Sequence, residues 1–319
     1  MIKEQIQKIN DKGRKVLSVF LTAGFPEGEK FTDTAMKIIE AGADMLEIGI
    51  PFSDPLADGA VIQRSSEIAL KQGINTHRVL ELTAKLREKT EIPLILMGYA
   101  NPILNYGKEK FFEDALSAGA NGVIIPDVPI EEYDDFFGKG NHSLNNIPEK
   151  SAAIFFETGK GVVLDWDLQS KQSDTAPLVT QKHTGVVRNL QNKKLDTVLL
   201  VTPQSGSERI KLIDEKSSGF VYCVSVSGTT GARESFSESD LKVLARTAET
   251  VQKNKLLVGF GISNGKTARQ VLPFCNGVIV GSAVIKKLQT GGIAEATELV
   301  KELRAACSSP AILSHSSIE

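Results

Sequence analysis

Carboxylate side chains are concentrated in the segment LEIGIPFSDPLADG, residues 46–59, which leaves a short apolar run and enters a loop. Within the run, strand alternation places Leu46 and Ile48 on one face and Glu47 on the other. If the two apolar residues contact covering helices, Glu47 points into the interior, where burial raises the pKa of a carboxyl group toward that of a proton donor. The sequence therefore predicts that Glu47 is an acid–base catalyst, and a buried ion pair is the alternative interpretation.

Two further carboxylates, Asp54 and Asp58, lie in the loop that follows this run. An aspartate in such a loop can form hydrogen bonds that stabilise a turn, or it can act as a catalytic group on a loop that closes over substrate. The local sequence leaves both interpretations open.

Glycine-rich segments provide candidate sites for a phosphate group. They are GTTG at 228–231, GFGIS at 259–263 and the pair Gly281–Ser282, and each follows an apolar run. Backbone N–H groups in glycine turns and at helix starts can hold a phosphate without lysine. One glycine pair is more often only a turn, but three such segments together predict a phosphate site.

The elements that position these residues follow one pattern, in which short β-branched apolar runs alternate with longer amphipathic segments. The runs begin at Val16, Asp44, Ile92, Asn121, Asp196, Gly219, Leu256 and Asn276. Eight strands close readily into a barrel, because side chains just fill the interior of that size. The predicted fold is therefore α/β, a single (β/α)8 TIM barrel, whose active site is built at the C-terminal ends of the strands.

The segments between the runs show helical spacing of apolar residues, as at Val79, Leu82 and Leu86. Ser235 and Glu238 have the spacing of a capping box, which predicts that Ser235 caps the next helix.

A long interruption separates the start of the fourth barrel helix from the fifth strand. The sequence predicts one barrel domain formed by residues 1–138 and 194–319, with residues 139–193 as an insertion near helix 4. The insertion could loop outward or could be non-native, because Gly138-Lys139 can be encoded with a GTAAG splice donor and Gln191 with a CAG acceptor. A transcript that retains the stretch would contradict the hypothesis of a translated intron.

Composition excludes several classes of protein. A formal net charge of −2 gives no basic surface for nucleic acid or anionic membranes. Three scattered cysteines predict neither a disulfide framework nor a metal site, and the histidines lack metal-ligand spacing. The N-terminal residues have no apolar core of signal-peptide length. We therefore expect a cytoplasmic protein.

With its flanking residues, the carboxylate segment reads GADMLEIGIPFSDPLADGAVIQ, and it resembles the signature of tryptophan synthase α subunits. FLTAGFP at 20–26, LMGYANPI at 96–103, IPDVPIEEY at 125–133, GFVYCVSVSGTTGA at 219–232 and VGSA at 280–283 follow in the order of that family. The resemblance covers nearly the whole chain except the interruption. It implies cleavage of indole-3-glycerol phosphate by a retro-aldol reaction in tryptophan biosynthesis, without a metal or another cofactor.

The resemblance also implies a set of site residues. Glu47 and Asp58 match the family's catalytic pair, and Tyr222 matches a tyrosine of the same site. The implied substrate-binding residues are Phe20, Tyr99, Ile124, Thr230, Gly231, Gly259, Phe260, Gly261, Ile279, Gly281 and Ser282. Asp54 and Pro55 are implied contacts to a pyridoxal phosphate-dependent β subunit, which would receive the indole in an α2β2 heterotetramer.

Two other functions remain open from the sequence. One is a lyase of the same fold that releases free indole without a partner. The other is a degenerate, noncatalytic subunit that only activates its partner, although the presence of both Glu47 and Asp58 argues against it.

Overall fold

The computed structural model describes residues 2–138, 194–224, 235–259 and 261–308 together with the backbone of two short strands at 155–158 and 161–164. In this part of the chain, eight parallel strands form a closed barrel. They are β1 Val16–Thr22, β2 Met45–Gly49, β3 Leu94–Met97, β4 Gly122–Ile124, β7 Asp196–Val201, β8 Phe220–Val224, β9 Lys255–Gly259 and β10 Gly277–Val280. Their order around the barrel is β1-β10-β9-β8-β7-β4-β3-β2. Each predicted run overlaps one of these strands, so the predicted TIM barrel is confirmed.

Helices alternate with the strands and cover the outside of the barrel. Those in the described residues are α1 Ile2–Asn10, α2 Phe31–Glu40, α3 Ala60–Lys71, α4 Thr76–Arg87, α5 Ala100–Tyr106, α6 Lys108–Ser117, α7 Tyr133–Phe137, α8 Ser207–Lys216, α9 Glu238–Thr250, α10 Gly265–Val271 and α11 Ser282–Ser308. Their buried faces pack with the outward-facing residues of the strands in one continuous core. The predicted face of α4 is confirmed, since Val79, Leu82 and Leu86 are all buried.

Side-chain alternation in β2 follows the prediction. Leu46 and Ile48 belong to the outer core with the helices, whereas Met45 lies in the apolar cluster inside the barrel. Glu47 has the opposite parity to Leu46 and Ile48, and it pairs with Phe20 of β1 in the parallel register. The closed barrel therefore brings the Glu47 carboxyl to its interior.

The helix α1 closes the N-terminal end of the barrel. Ile2, Ile6 and Ile9 are buried against an inner cluster of strand residues. That inner cluster consists of Val16, Met45, Ile95, Ile124, Val198, Phe220, Tyr222, Leu257 and Ile279. The backbone N–H of Ile2 donates to Asp196 Oδ2 at 3.1 Å, and Asp196 is the first residue of β7. Water is thus kept from one end of the barrel.

The capping prediction for α9 is wrong by two residues. The cap is Ser237, whose hydroxyl accepts from the N–H of Asp240 while the Asp240 side chain accepts from the N–H of Ser237. Ser237 is extended, with φ −77° and ψ 162°, as a capping residue must be, and the helix begins at Glu238.

Part of the predicted insertion is described. Phe155–Thr158 (β5) pairs antiparallel with Gly161–Leu164 (β6) in a two-stranded sheet separate from the barrel. The remaining residues between 139 and 193 lie outside the described part of the chain, so the proposed domain division stays a prediction. Among the described helices, none is long and apolar enough to cross a membrane.

Truncation of a buried side chain of α1, the helix that closes the N-terminal end of the barrel, should destabilise the fold. Ile6 is fully buried, so Ile6→Ala should lower the free energy of unfolding by about 2–5 kcal/mol through lost burial and the cavity left behind. Urea unfolding measures the change. Lys8→Ala is the matched control, because Lys8 is exposed on the same helix and its loss should cost less than about 0.5 kcal/mol. Equal losses of unfolding free energy in the two variants would contradict the proposal that α1 packs against the barrel interior.

Candidate active site

A cavity of about 470 Å³ opens at the C-terminal ends of the barrel strands. Its described lining combines two carboxyl groups, one phenol, a hydroxyl and an apolar wall. The lining residues are Phe20, Glu47, Asp58, Ile62, Met97, Tyr222, Gly261, Ile262, Ile279, Gly281 and Ser282. Eight of the residues predicted from the sequence are therefore brought together around one cavity.

Glu47 is fully buried in this cavity's wall. Ser18, on the neighbouring strand β1, donates from its hydroxyl to Glu47 Oε1 at 2.8 Å. Glu47 Oε2 makes no hydrogen bond with any described residue. Burial raises the pKa of Glu47 to about 8, and the hydrogen bond from Ser18 opposes part of that rise. The carboxyl group is therefore protonated at neutral pH and can donate its proton.

Asp58 occupies a different environment in the loop between β2 and α3. Its side chain is half-buried, and burial raises its pKa, while a hydrogen bond with the Tyr99 hydroxyl lowers it. The Tyr99 hydroxyl also accepts from the backbone N–H of Ala57 at 3.1 Å. Asp58 and Tyr99 both line a second cavity of about 310 Å³, which shares Phe20 and Met97 with the first. Tyr99 thus fixes the position of the loop that carries Asp58.

Tyr222 lies in β8 and is buried opposite the two carboxyl groups. Burial raises the pKa of its phenol well above the usual value, and the charges of Glu47 and Asp58 raise it further. The ring packs directly over Gly259, where an added methyl group would overlap the tyrosine hydroxyl. The structure therefore gives Gly259 a spatial role, and its predicted contact with substrate stays a prediction.

The phosphate-binding candidates at the end of β10 meet the start of a helix. Gly281 and Ser282 line the cavity, and Ser282 is the first residue of α11. The N–H of Ile285 donates to the carbonyl of Gly281, so the N–H groups before it, at the start of α11, have no acceptor within the helix. None of the described lining residues is lysine or arginine. An anion in this place would be held by backbone N–H groups and the helix dipole.

Two of the apolar residues predicted to bind the substrate, Phe20 and Ile279, line the cavity. The ring of Phe20 packs against Gly49, where an added methyl group would overlap it. Ile124 is fully buried in the inner cluster with Tyr222 and Ile279, beneath the lining described above. Its contact with substrate stays a prediction.

Three predicted site residues, Thr230, Gly231 and Phe260, lie outside the described residues. Asp54 and Pro55 lie in the loop after β2 and are not among the lining residues of the cavity. Their role also stays a prediction.

Sequence reasoning missed several residues of this site: Ser18, Ile62, Met97 and Ile262. Ser18 shares a strand face with Phe20, since the two are separated by one residue in β1, and this parity could have identified it. Met97 likewise shares the inward face of β3 with Ile95 of the inner cluster. Ile62 and Ile262 follow strand ends, and no pattern in the sequence distinguishes them from core residues.

Across the residues that the structure describes, no group of three or more histidine, cysteine, aspartate or glutamate side chains could hold a metal ion.

Comparison with known proteins identifies the family. The model of the family "Tryptophan synthase alpha chain" matches residues 6–147 and 176–311. The chain belongs to this family. A tryptophan synthase alpha chain from Christiangramia forsetii is 35% identical over 303 residues, which cover 94% of this chain and 99% of that protein. The gap in the family match, from 148 to 175, falls inside the predicted insertion.

Solved structures of the tryptophan synthase alpha family have the same fold. The tryptophan synthase of Mycobacterium tuberculosis has a TM-score of 0.74 at 26% identity, covering 96% of this chain and 98% of that chain. The alpha subunit from Legionella pneumophila has a TM-score of 0.72 at 29% identity, covering 97% and 98% respectively. The predicted family is confirmed, and with it the enzyme class, a lyase that cleaves indole-3-glycerol phosphate.

The raised pKa of Glu47 makes a prediction about stability. In the unfolded chain the pKa returns toward 4.5, whereas in the folded chain it is about 8. Between these values the unfolded state releases a proton that the folded state keeps, so the free energy of unfolding falls as pH rises, by up to about 1.4 kcal/mol per pH unit. Glu47→Gln cannot titrate, so its stability relative to the wild type should increase from about pH 5 to about pH 8.

Urea unfolding at a series of pH values measures this difference. Glu113→Gln is the matched control, because Glu113 is exposed on α6, and its curve should run parallel to that of the wild type. A difference between Glu47→Gln and wild type that does not change with pH would contradict a protonated Glu47.

Proposed function

We propose that Glu47 and Asp58 together cleave indole-3-glycerol phosphate in this chain, releasing indole and glyceraldehyde 3-phosphate. The observation that carries the proposal is the buried, protonated Glu47 carboxyl, with Oε1 held by Ser18 and Oε2 without a protein partner. A carboxylic acid with a pKa near the working pH is suited to donate a proton and to take one back.

Glu47 acts twice in the proposed reaction. Its proton first adds to C3 of the indole ring, which disrupts the aromatic system and leaves a positive charge shared with the ring nitrogen. The Glu47 carboxylate then accepts the proton of the glycerol hydroxyl next to the bond that breaks. As that hydroxyl becomes the aldehyde, the electron pair of the C–C bond returns to the ring, so indole forms and Glu47 regains its proton.

Asp58 stabilises the positive charge on the ring nitrogen. Its carboxylate would accept a hydrogen bond from the indole N–H, which strengthens as the ring becomes cationic. The hydrogen bond with Tyr99 favours the charged form of Asp58 and opposes the effect of burial on its pKa. Because this interaction is strongest in the transition state, it accelerates the chemical step rather than only binding the substrate.

The substrate's two ends fit the two ends of the cavity. Phe20, Met97 and Ile279 give an apolar wall for the indole ring. The phosphate would bind at Gly281 and Ser282, where the start of α11 supplies N–H groups and the positive end of the helix dipole. A phosphate site after the last strands is a recurrent feature of this fold.

We further propose that a tryptophan synthase β subunit docks on the rim of the barrel and receives the indole. Asp54 and Pro55 lie in the β2–α3 loop, and the next residue, Leu56, is 88% exposed. Leu104, on α5 after β3, is 54% exposed. Because both leucines follow strands that end at the rim, they form an apolar docking surface suited to a protein partner. The α2β2 stoichiometry and the cytoplasmic location belong to this proposal.

Removal of the proton donor should slow catalysis strongly. Glu47→Gln should lower kcat by about a hundredfold to ten-thousandfold, since glutamine cannot transfer the proton. Asp58→Asn should also lower kcat, because it removes the charge that stabilises the cationic ring. Indole formation from indole-3-glycerol phosphate, measured with and without added β subunit, tests both. In the wild type kcat should fall above about pH 8, where Glu47 loses its proton.

The same assay separates the alternatives. Glu113→Gln, an exposed change of the same chemistry, should retain wild-type activity. No indole formation by the wild type in either condition would refute the proposal and favour a noncatalytic activator. High activity that the β subunit leaves unchanged would favour a partner-independent lyase.

The docking surface should depend on its exposed leucines. Leu104→Asp places a charge on the proposed apolar contact and should raise the Kd for the β subunit at least tenfold, since burying an unpaired charge is costly. Titration calorimetry with purified β subunit measures the Kd. Leu212→Asp is the matched control, because Leu212 is 42% exposed on α8 and lies outside the proposed surface. An equal effect of the two changes would contradict the proposed docking surface.

A further inference from the structure

Ser18 places a hydroxyl group in an interior that is otherwise largely apolar. It is fully buried in β1, where it pairs with Met45 of β2 on one side and Ile279 of β10 on the other. Both of these neighbours belong to the inner cluster. A buried hydroxyl costs free energy unless it is hydrogen-bonded, and Ser18 meets this requirement through Glu47 Oε1 at 2.8 Å.

We infer that Ser18 is a positioning residue for the α reaction, which selects the oxygen of Glu47 that carries the transferred proton. This inference rests on the proposed role of Glu47. Because the Ser18 hydroxyl donates to Oε1, that oxygen acts as an acceptor and the proton resides on Oε2. Oε2 has no hydrogen-bond partner among the described residues, so it can deliver the proton to substrate without first breaking a contact with the protein.

The same hydrogen bond adjusts the acidity of Glu47 during the reaction. A hydroxyl donates more strongly to a carboxylate than to a neutral carboxyl group, so the contact strengthens when Glu47 gives up its proton. It therefore lowers the pKa that burial has raised. Without it Glu47 would be a weaker acid, and the carboxyl group would have more freedom to rotate.

Two other titratable groups share the cavity with Glu47. Tyr222, on β8, and Asp58, in the loop after β2, are the described titratable residues that share the cavity lining with it. A negative charge on either would disfavour a second negative charge on Glu47. The remaining described contacts from β3 and β10 are apolar, as at Met97 and Ile279. Ser18 is thus the described residue whose hydrogen bond favours the carboxylate form of Glu47.

The test compares Ser18→Ala with Ser18→Thr in the indole-release assay across pH. Ser18→Ala should lower kcat about tenfold and move the alkaline fall in kcat to higher pH, because the pKa of Glu47 rises when the donor is lost. Ser18→Thr keeps a hydroxyl and should restore the wild-type profile. If Ser18→Ala does not fold, Ser18→Cys replaces it, since a thiol has similar size but is a weak donor. Ser117→Ala is the matched control, because Ser117 is buried on α6 with no hydrogen-bond partner for its hydroxyl among the described residues.

A second measurement does not depend on activity. Infrared difference spectra of the substrate-free protein can follow the protonated Glu47 carboxyl, whose band is identified by its absence in Glu47→Gln. In Ser18→Ala this band should persist to higher pH than in the wild type. Identical titrations and pH profiles for wild type and Ser18→Ala would overturn the inference while leaving the proposed function intact. A shifted titration in a chain that forms no indole would support the Ser18 contact and refute the proposed function.

Discussion

The exclusion of water from the barrel interior determines the protonation state on which this site depends. The helix α1 covers the N-terminal end, and apolar side chains of the inner cluster fill the space between that end and the cavity. Glu47 lies at the top of this layer, where burial outweighs the single hydrogen bond from Ser18. A neutral carboxyl group costs much less to bury than a carboxylate, so the fold keeps Glu47 as an acid.

The two carboxyl groups of the cavity are held in contrasting ways. Glu47 lies on the barrel strand β2, so its position follows from the geometry of the barrel itself. Asp58 is carried by a loop, and its position depends on the hydroxyl of Tyr99, which contacts both the Asp58 side chain and the Ala57 backbone. A carboxyl group on a barrel strand beside a carboxyl group on a loop held by Tyr99 fits the proposed reaction, in which one group transfers protons and the other stabilises developing charge.

Glycine residues at strand ends let the aromatic side chains of the cavity pack against the backbone. At Gly49 and Gly259 an added methyl group would overlap the rings of Phe20 and Tyr222, so both aromatic side chains lie directly against backbone. A methyl group added at Gly281 would lie 3.2 Å from Cβ of Phe20, and Gly281 precedes the start of α11. The same strand ends therefore shape the apolar part of the cavity and provide N–H groups at its anionic end.

The sequence by itself determined the alternation of strands and helices, the number of barrel strands and the inward direction of Glu47. These follow from periodicity within single segments, since the parity of a strand residue depends only on its neighbours in the chain. The family motifs added Asp58, whose loop alone would also fit a turn residue. The sequence misplaced the α9 cap, because Ser235 and Ser237 are each followed three residues later by an acidic residue and so have the same capping-box spacing.

Only the tertiary structure decided which groups touch one another. The contact of Ser18 with Glu47 depends on the register between β1 and β2, and that of Tyr99 with Asp58 on the packing of a loop against a distant helix start. Met97, Ile62 and Ile262 become lining residues only once the barrel has closed. Register, closure and loop packing join segments that are far apart in sequence, so no single segment carries a pattern that specifies them.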